Sequence, residues 1–182
     1  MLIGRVQRRR FARVLQTLAL TLVAGTTLTS CSLSGMAFRQ DHRMSITSPT
    51  ELETVKLPLT VRWSMSDFTV AAPGSDDAPP DAGYYAVFVD RFPIPPNASL
   101  KDVVSTSSCD ADPSCPSDEL LAQQYNVYLT ADESVTIPSV PVSQFRTESH
   151  TITIVLIDTS GRRLGESAWS TSFRVNADGT TS

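Results

Sequence analysis

"HTITIVLIDTSGRRLGESAWSTSFRV" occupies residues 150–175. Two apolar runs, 150–158 and 169–175, flank a polar centre. In the second run Trp169, Thr171, Phe173 and Val175 share one phase, and a period of two places them on one face of a strand. Gly161 stands where a turn needs positive φ, and Gly165 can start a bulge on the return. The segment predicts an antiparallel hairpin with one face against a core.

The same pattern recurs upstream. "LPLTVRWSM" (57–65) alternates: Leu57, Leu59, Val61, Trp63 and Met65 point one way, Pro58, Thr60, Arg62 and Ser64 the other. Trp63 belongs to the apolar series, which makes it a core residue before a ligand platform. "YYAVFVD" (84–90) is apolar on both phases, as a central strand would be. "YNVYLT" (125–130) alternates through Tyr125, Val127 and Leu129. A shorter strand centres on Val135 to Ile137 and stops at Pro138, and residues 44–48 form an edge strand before Pro49.

One stretch reads as a helix. In "SDELLAQQY" (117–125) Ser117 can cap, Asp118 and Glu119 suit the first turn, and Leu120 and Leu121 offer an apolar side. So short a helix needs the sheets to hold it. Six or seven short strands with this one helix predict an all-β fold, an antiparallel β-sandwich, over residues 44–176. Residues 71–83 and 93–115 are polar and long for connections, so they are functional or disordered.

The N-terminal residues predict a different fate. Arg5, Arg8, Arg9, Arg10 and Arg13 precede an uncharged run, residues 14–30, in the order of a secretory signal. Threonines and Gly25 interrupt that run, which makes it strained as a permanent membrane span. Leu28-Thr29-Ser30-Cys31 resembles the bacterial lipoprotein box. That resemblance implies a signal peptide over residues 1–30 and a lipid on the sulfur of Cys31, the new N-terminus. Residues 31–43 then form a tether, and 177–182 a disordered tail.

Cleavage ahead of Cys31 leaves 152 of the 182 residues, with 10 basic against 19 acidic side chains, a balance of -9 where the precursor has -4. Arg162-Arg163 is the one basic pair outside the signal and tether, so a nucleic-acid partner is excluded. Export also places Cys109 and Cys115 in an oxidising compartment, where they are expected to close the loop "CDADPSC" as a disulfide.

"ITSP" (46–49), "LPLTVRW" (57–63), "GYYAVFVDR" (83–91) and "SHTITIVLIDTSGRRLGES" (149–167) together resemble exported bacterial lipoproteins with a single immunoglobulin- or fibronectin-type-III-like domain. The resemblance implies an immunoglobulin-like sandwich anchored at the cell membrane and facing the extracytoplasmic side. Its scaffold motifs imply no activity, and the disulfide across the two sheets of antibody domains has no counterpart here.

No hydrolase elbow, zinc-protease motif or phosphate loop is present, so no enzyme activity and no cofactor are expected. His150 begins a strand without a partner at metal spacing. Asp110, Asp112, Ser114 and Asp118 partly match a calcium loop, but Cys115 stands where its glycine belongs and Leu121 where its glutamate does. Asp90 and Asp158 each end an apolar strand and are candidates for a carboxylate pair.

The candidate binding surface is Tyr84, Phe88, Arg91 and Phe92 in "YYAVFVDRFPIPP". Phe92 has no strand phase; it either plugs the open end of the sandwich or stands exposed as an anchor for another envelope protein. The alternative is a module binding cell-wall glycan or a small ligand through Tyr84, Tyr125 and Tyr128.

Overall fold

The computed structural model describes residues 41–104, 109, 115–142 and 147–176. Among them the chain is mostly β-sheet. The strands are β1 (Met44–Ser48), β2 (Glu53–Val55), β3 (Leu59–Met65), β4 (Gly83–Val89), β5 (Val127–Thr130), β6 (Ser134–Ile137), β7 (Glu148–Asp158) and β8 (Arg163–Val175). Among the described residues, a 3-10 turn (Leu100–Val103) and helix α1 (Asp118–Tyr125) lie between β4 and β5.

Three strands form one sheet in the order β1-β3-β6, and five form another in the order β2-β8-β7-β4-β5. The expectation of purely antiparallel pairing fails where β2 lies parallel to β8, Glu53 against Phe173 and Val55 against Val175, and at the isolated parallel bridge between Val70 and Gly83. β1 and β2 are consecutive in sequence yet belong to different sheets.

The alternation in residues 57–65 does what its period requires. Leu59, Val61 and Trp63 are buried and belong to one cluster with Tyr85, Val87 and Ile154 of the larger sheet. Trp63 meets the edge of Tyr85, ring centroids 5.2 Å apart and planes at 73°, a favoured aromatic geometry. The opposite face of β4 feeds a second cluster. Tyr84, Ala86 and Phe88 pack there with Val155 and Ile157 of β7, beneath Ile94, Leu100 and Leu121. Two covered faces explain why 84–90 has no polar phase.

Helix α1 begins as its sequence indicates, with the Ser117 hydroxyl accepting from the Leu120 amide at 3.2 Å. It runs further than the strand reading of 125–130 allows. Tyr125 closes the helix, Asn126 takes the left-handed conformation at φ 52, and the strand starts at Val127. Asparagine tolerates that conformation, so the switch falls there.

The hairpin of β7 and β8 carries a large irregularity. Ile154 pairs with Trp169 and Leu156 with Leu164, leaving Val155 alone to face residues 165–168. Gly165, at φ 65, opens this bulge, as the sequence leads one to expect.

Candidate functional site

Asp90 ends β4 and turns the chain out of the sheet. Its backbone sits at φ 54. Its carboxylate accepts from the Thr151 amide at 2.8 Å and lies 2.6 Å from Nδ1 of His150. His150 is 4% exposed, and its ring lies against Phe173 with centroids 5.3 Å apart. This pair ties the end of β4 to β7, with His150 in the core and Asp90 about one-third exposed, so its geometry is that of a strut. Asp158 lies far from Asp90. It is in register with Gly83 at the other end of β4, roughly 20 Å away at strand rise. The two carboxylates do not meet; Asp158 instead accepts from the Ser160 and Arg162 amides and shapes the hairpin turn.

Beyond Asp90 the chain crosses the outer face of the larger sheet. Arg91 folds inward: Nη1 donates to the Tyr125 carbonyl at 2.8 Å, and the guanidinium carbon lies 5.5 Å from the Tyr125 ring centroid. Ile94 is buried in the outer cluster, and its carbonyl accepts from Nη1 of Arg163 at 2.5 Å. The Ala98 amide closes a turn on the Pro95 carbonyl at 3.0 Å, and the Ala98 carbonyl accepts from the Arg163 amide at 2.9 Å. Between Arg91 and Ile94, Phe92 is 95% exposed.

The four candidate surface residues therefore separate. Tyr84 and Phe88 are buried, 3% and 0% exposed, under α1 and the 3-10 turn. Their place on the surface is corrected, because Ile94 and Leu100 of the polar connection and Leu121 of α1 cover them. Burial, with the carboxylates of Asp118 and Asp158 adding to it, pushes the Tyr84 phenol up to about 12. Phe92 is in water and plugs nothing. Arg91 stays beside it, its charge turned toward Tyr125.

The three tyrosines of the glycan reading do not share a face. Tyr84 is buried, Tyr125 packs on the outer cluster, and Tyr128 packs on the inner one. Cys109 and Cys115 are disulfide-bonded, with Cα atoms 5.3 Å apart. Cys31, Asp110, Asp112 and Ser114 lie outside the described residues. Among the described residues no three His, Cys, Asp or Glu side chains converge as a metal site, and no helix is long and apolar enough to cross a membrane.

Sequence reasoning missed a second constellation, around Asp41. Its carboxylate accepts from Nε and Nη2 of Arg43, the latter at 2.8 Å, and from the Ser167 hydroxyl at 2.6 Å. The Trp169 indole donates to the Asp41 carbonyl at 2.8 Å. Asp41 thus fastens the chain ahead of β1 to the bulge in β8. Arg163 holds that bulge from within, Nη2 donating to the Glu166 and Ser167 carbonyls at 2.8 and 3.0 Å. Residues so remote in sequence give no periodic signal; the bulge glycine was the one legible hint.

The Arg43 guanidinium, first among its causes, holds the Asp41 carboxyl well below its ordinary value of 3.8. A carboxyl shifted down in the folded state stabilises that state above the unfolded value, and the contribution is lost as pH falls below it. Acid titration of thermal stability should therefore be less steep below about pH 4 in Asp41→Asn than in wild type. Superimposable acid limbs would show that the latch contributes nothing.

Comparison with protein-family models, with curated proteins and with solved structures finds no match to this chain.

Proposed function

We propose that this protein is a membrane-anchored surface lipoprotein whose immunoglobulin-like β-sandwich binds another envelope protein without catalysing a reaction. The strand order supports the sandwich. Two sheets, β1-β3-β6 and β2-β8-β7-β4-β5, share one apolar cluster, and an immunoglobulin-type Greek key is the reading we draw from that order. The anchor rests on the arginines, the apolar run and the Leu28-Thr29-Ser30-Cys31 box. The disulfide suits an oxidising, extracytoplasmic site.

The observation that carries the binding role is Phe92. Leaving a phenylalanine in water forgoes about 1.5–3 kcal/mol of burial. At 95% exposure the fold gains almost none of that energy, which is available to a partner instead. Aromatic side chains of this kind dominate interface energetics.

Phe92→Ser tests the reading. The melting temperature should stay within a few degrees of wild type, since no buried contact is removed, while recovery of crosslinked envelope partners from intact cells should fall at least roughly tenfold. A collapsed melt, or unchanged recovery, would remove Phe92 from the interface. Retention on cell-wall polymers that survives the substitution would favour the glycan alternative.

A further inference from the structure

We infer that Phe92 is a preset apolar plug, held by two inward-turned arginines, and that its partner is a protein with a preformed apolar pocket rather than a charged surface or a bilayer. The inference rests on the binding role proposed above and adds the chemistry of the partner.

The bracing comes first. The loop leaves β4 at Asp90, which is fixed by the Thr151 amide and His150. One residue later Arg91 is committed to the Tyr125 carbonyl and ring. Two residues past Phe92 the Ile94 carbonyl is committed to Arg163. Arg163 is 6% exposed and lies at the start of β8. Pro93, Pro95 and Pro96 restrict the backbone between these points further. A side chain held at both ends of so short a span loses little backbone freedom on binding, and preorganisation of this kind raises affinity by lowering that cost.

The charges decide the partner. The two cations that hold this loop are occupied inside the protein: Arg91 on Tyr125, and Arg163 on the carbonyls of Ile94, Glu166 and Ser167. The Asp90 carboxylate, about one-third exposed, is bonded to the Thr151 amide and His150. What the loop offers is an aromatic ring between side chains whose polar groups bond within the protein. A bilayer fits poorly, because the chain after Cys31 carries -9 and repels anionic headgroups. A closed apolar pocket on a protein needs no charge and gives a rigid ring the most burial.

The test uses the full-length chain in intact cells, with photoreactive benzoylphenylalanine replacing Phe92. Adduct yield is read at about 0.05 and about 0.5 M salt, a range over which exposed ion pairs are strongly screened. In parallel, amide hydrogen exchange of residues 91–98 is measured on the same protein and on Arg163→Met and Arg91→Met. The second variant leaves the β8 bulge intact, so it informs even where Arg163→Met melts the fold. The expected result is one protein adduct whose yield is the same at both salt concentrations. Each arginine substitution should lower that yield, and accelerate loop exchange, by about tenfold. A yield that falls about tenfold with salt, or an adduct to lipid, would overturn the apolar-pocket assignment. Unchanged yield and exchange in Arg91→Met would overturn the bracing. Absence of any adduct beside a protected loop would instead refute the binding role of Phe92, and the inference with it.

Discussion

Cys31→Ser is expected to abolish lipid attachment and move the domain out of the membrane fraction, or to leave an uncleaved precursor held by residues 14–28. The basic start, the apolar run and Leu28-Thr29-Ser30 converge on this sulfur, and no other cysteine lies in the 30 residues before it. Each methylene buried in a bilayer contributes roughly 0.8 kcal/mol, so two long acyl chains hold a protein where one binds marginally and none does not. Serine removes the thiolate that would accept the lipid while changing no apolar strand residue. The fold should persist, with an unshifted melt. Labelling with a clickable fatty acid, followed by fractionation, reads both halves of this expectation. Equal labelling of wild type and variant would contradict it.

Gly83→Ala should be the most destabilising single-methyl change in the domain. Gly83 opens β4 in register with Asp158 of β7, and its backbone is bonded on the other side to Thr69 and Ala71. A Cβ at this position would run into the backbone carbonyl of Ile157. A backbone atom in the middle of the larger sheet cannot yield as a side-chain tip can, so β4 and β7 must separate locally. The expected loss is about 3 kcal/mol or more, a fall of roughly 10 °C in melting temperature for a domain of this size. Thermal denaturation followed by circular dichroism measures it directly. A midpoint within a degree or two of wild type would mean that the approach of β4 to β7 is not as described.

Much of the scaffold was legible because burial imposes a period. The alternation of 57–65 and the phase of 169–175 follow from sheets with a covered inner face, and Ser117 marked the helix start through capping chemistry. The limits have physical causes too. Tyr125 extends an apolar alternation, yet Asn126 ends a helix there, and a pattern of two cannot distinguish a last helical turn from a first strand residue. β2 is three residues long and mostly exposed, too short to show a period.

The candidate surface was misjudged for a related reason. Apolarity on both phases of 84–90 correctly indicated a strand covered on both faces, and that already implied that Tyr84 and Phe88 are buried. The cover comes from Ile94 and Leu100, isolated apolar residues in a polar stretch, and from Leu121 of the helix, which only the folded chain brings together. The Asp41 latch and the carbonyl contacts of Arg163 depend on backbone positions and leave no trace in composition.

The central claim is that a lipid at Cys31 holds this β-domain on the membrane. Mass spectrometry of the N-terminal peptide of the chain purified from membranes tests it most directly. The account predicts a peptide that begins at Cys31 and carries a diacylglyceryl group on its sulfur. A peptide that continues through residues 28–34 uncleaved, or an unmodified Cys31, would contradict it.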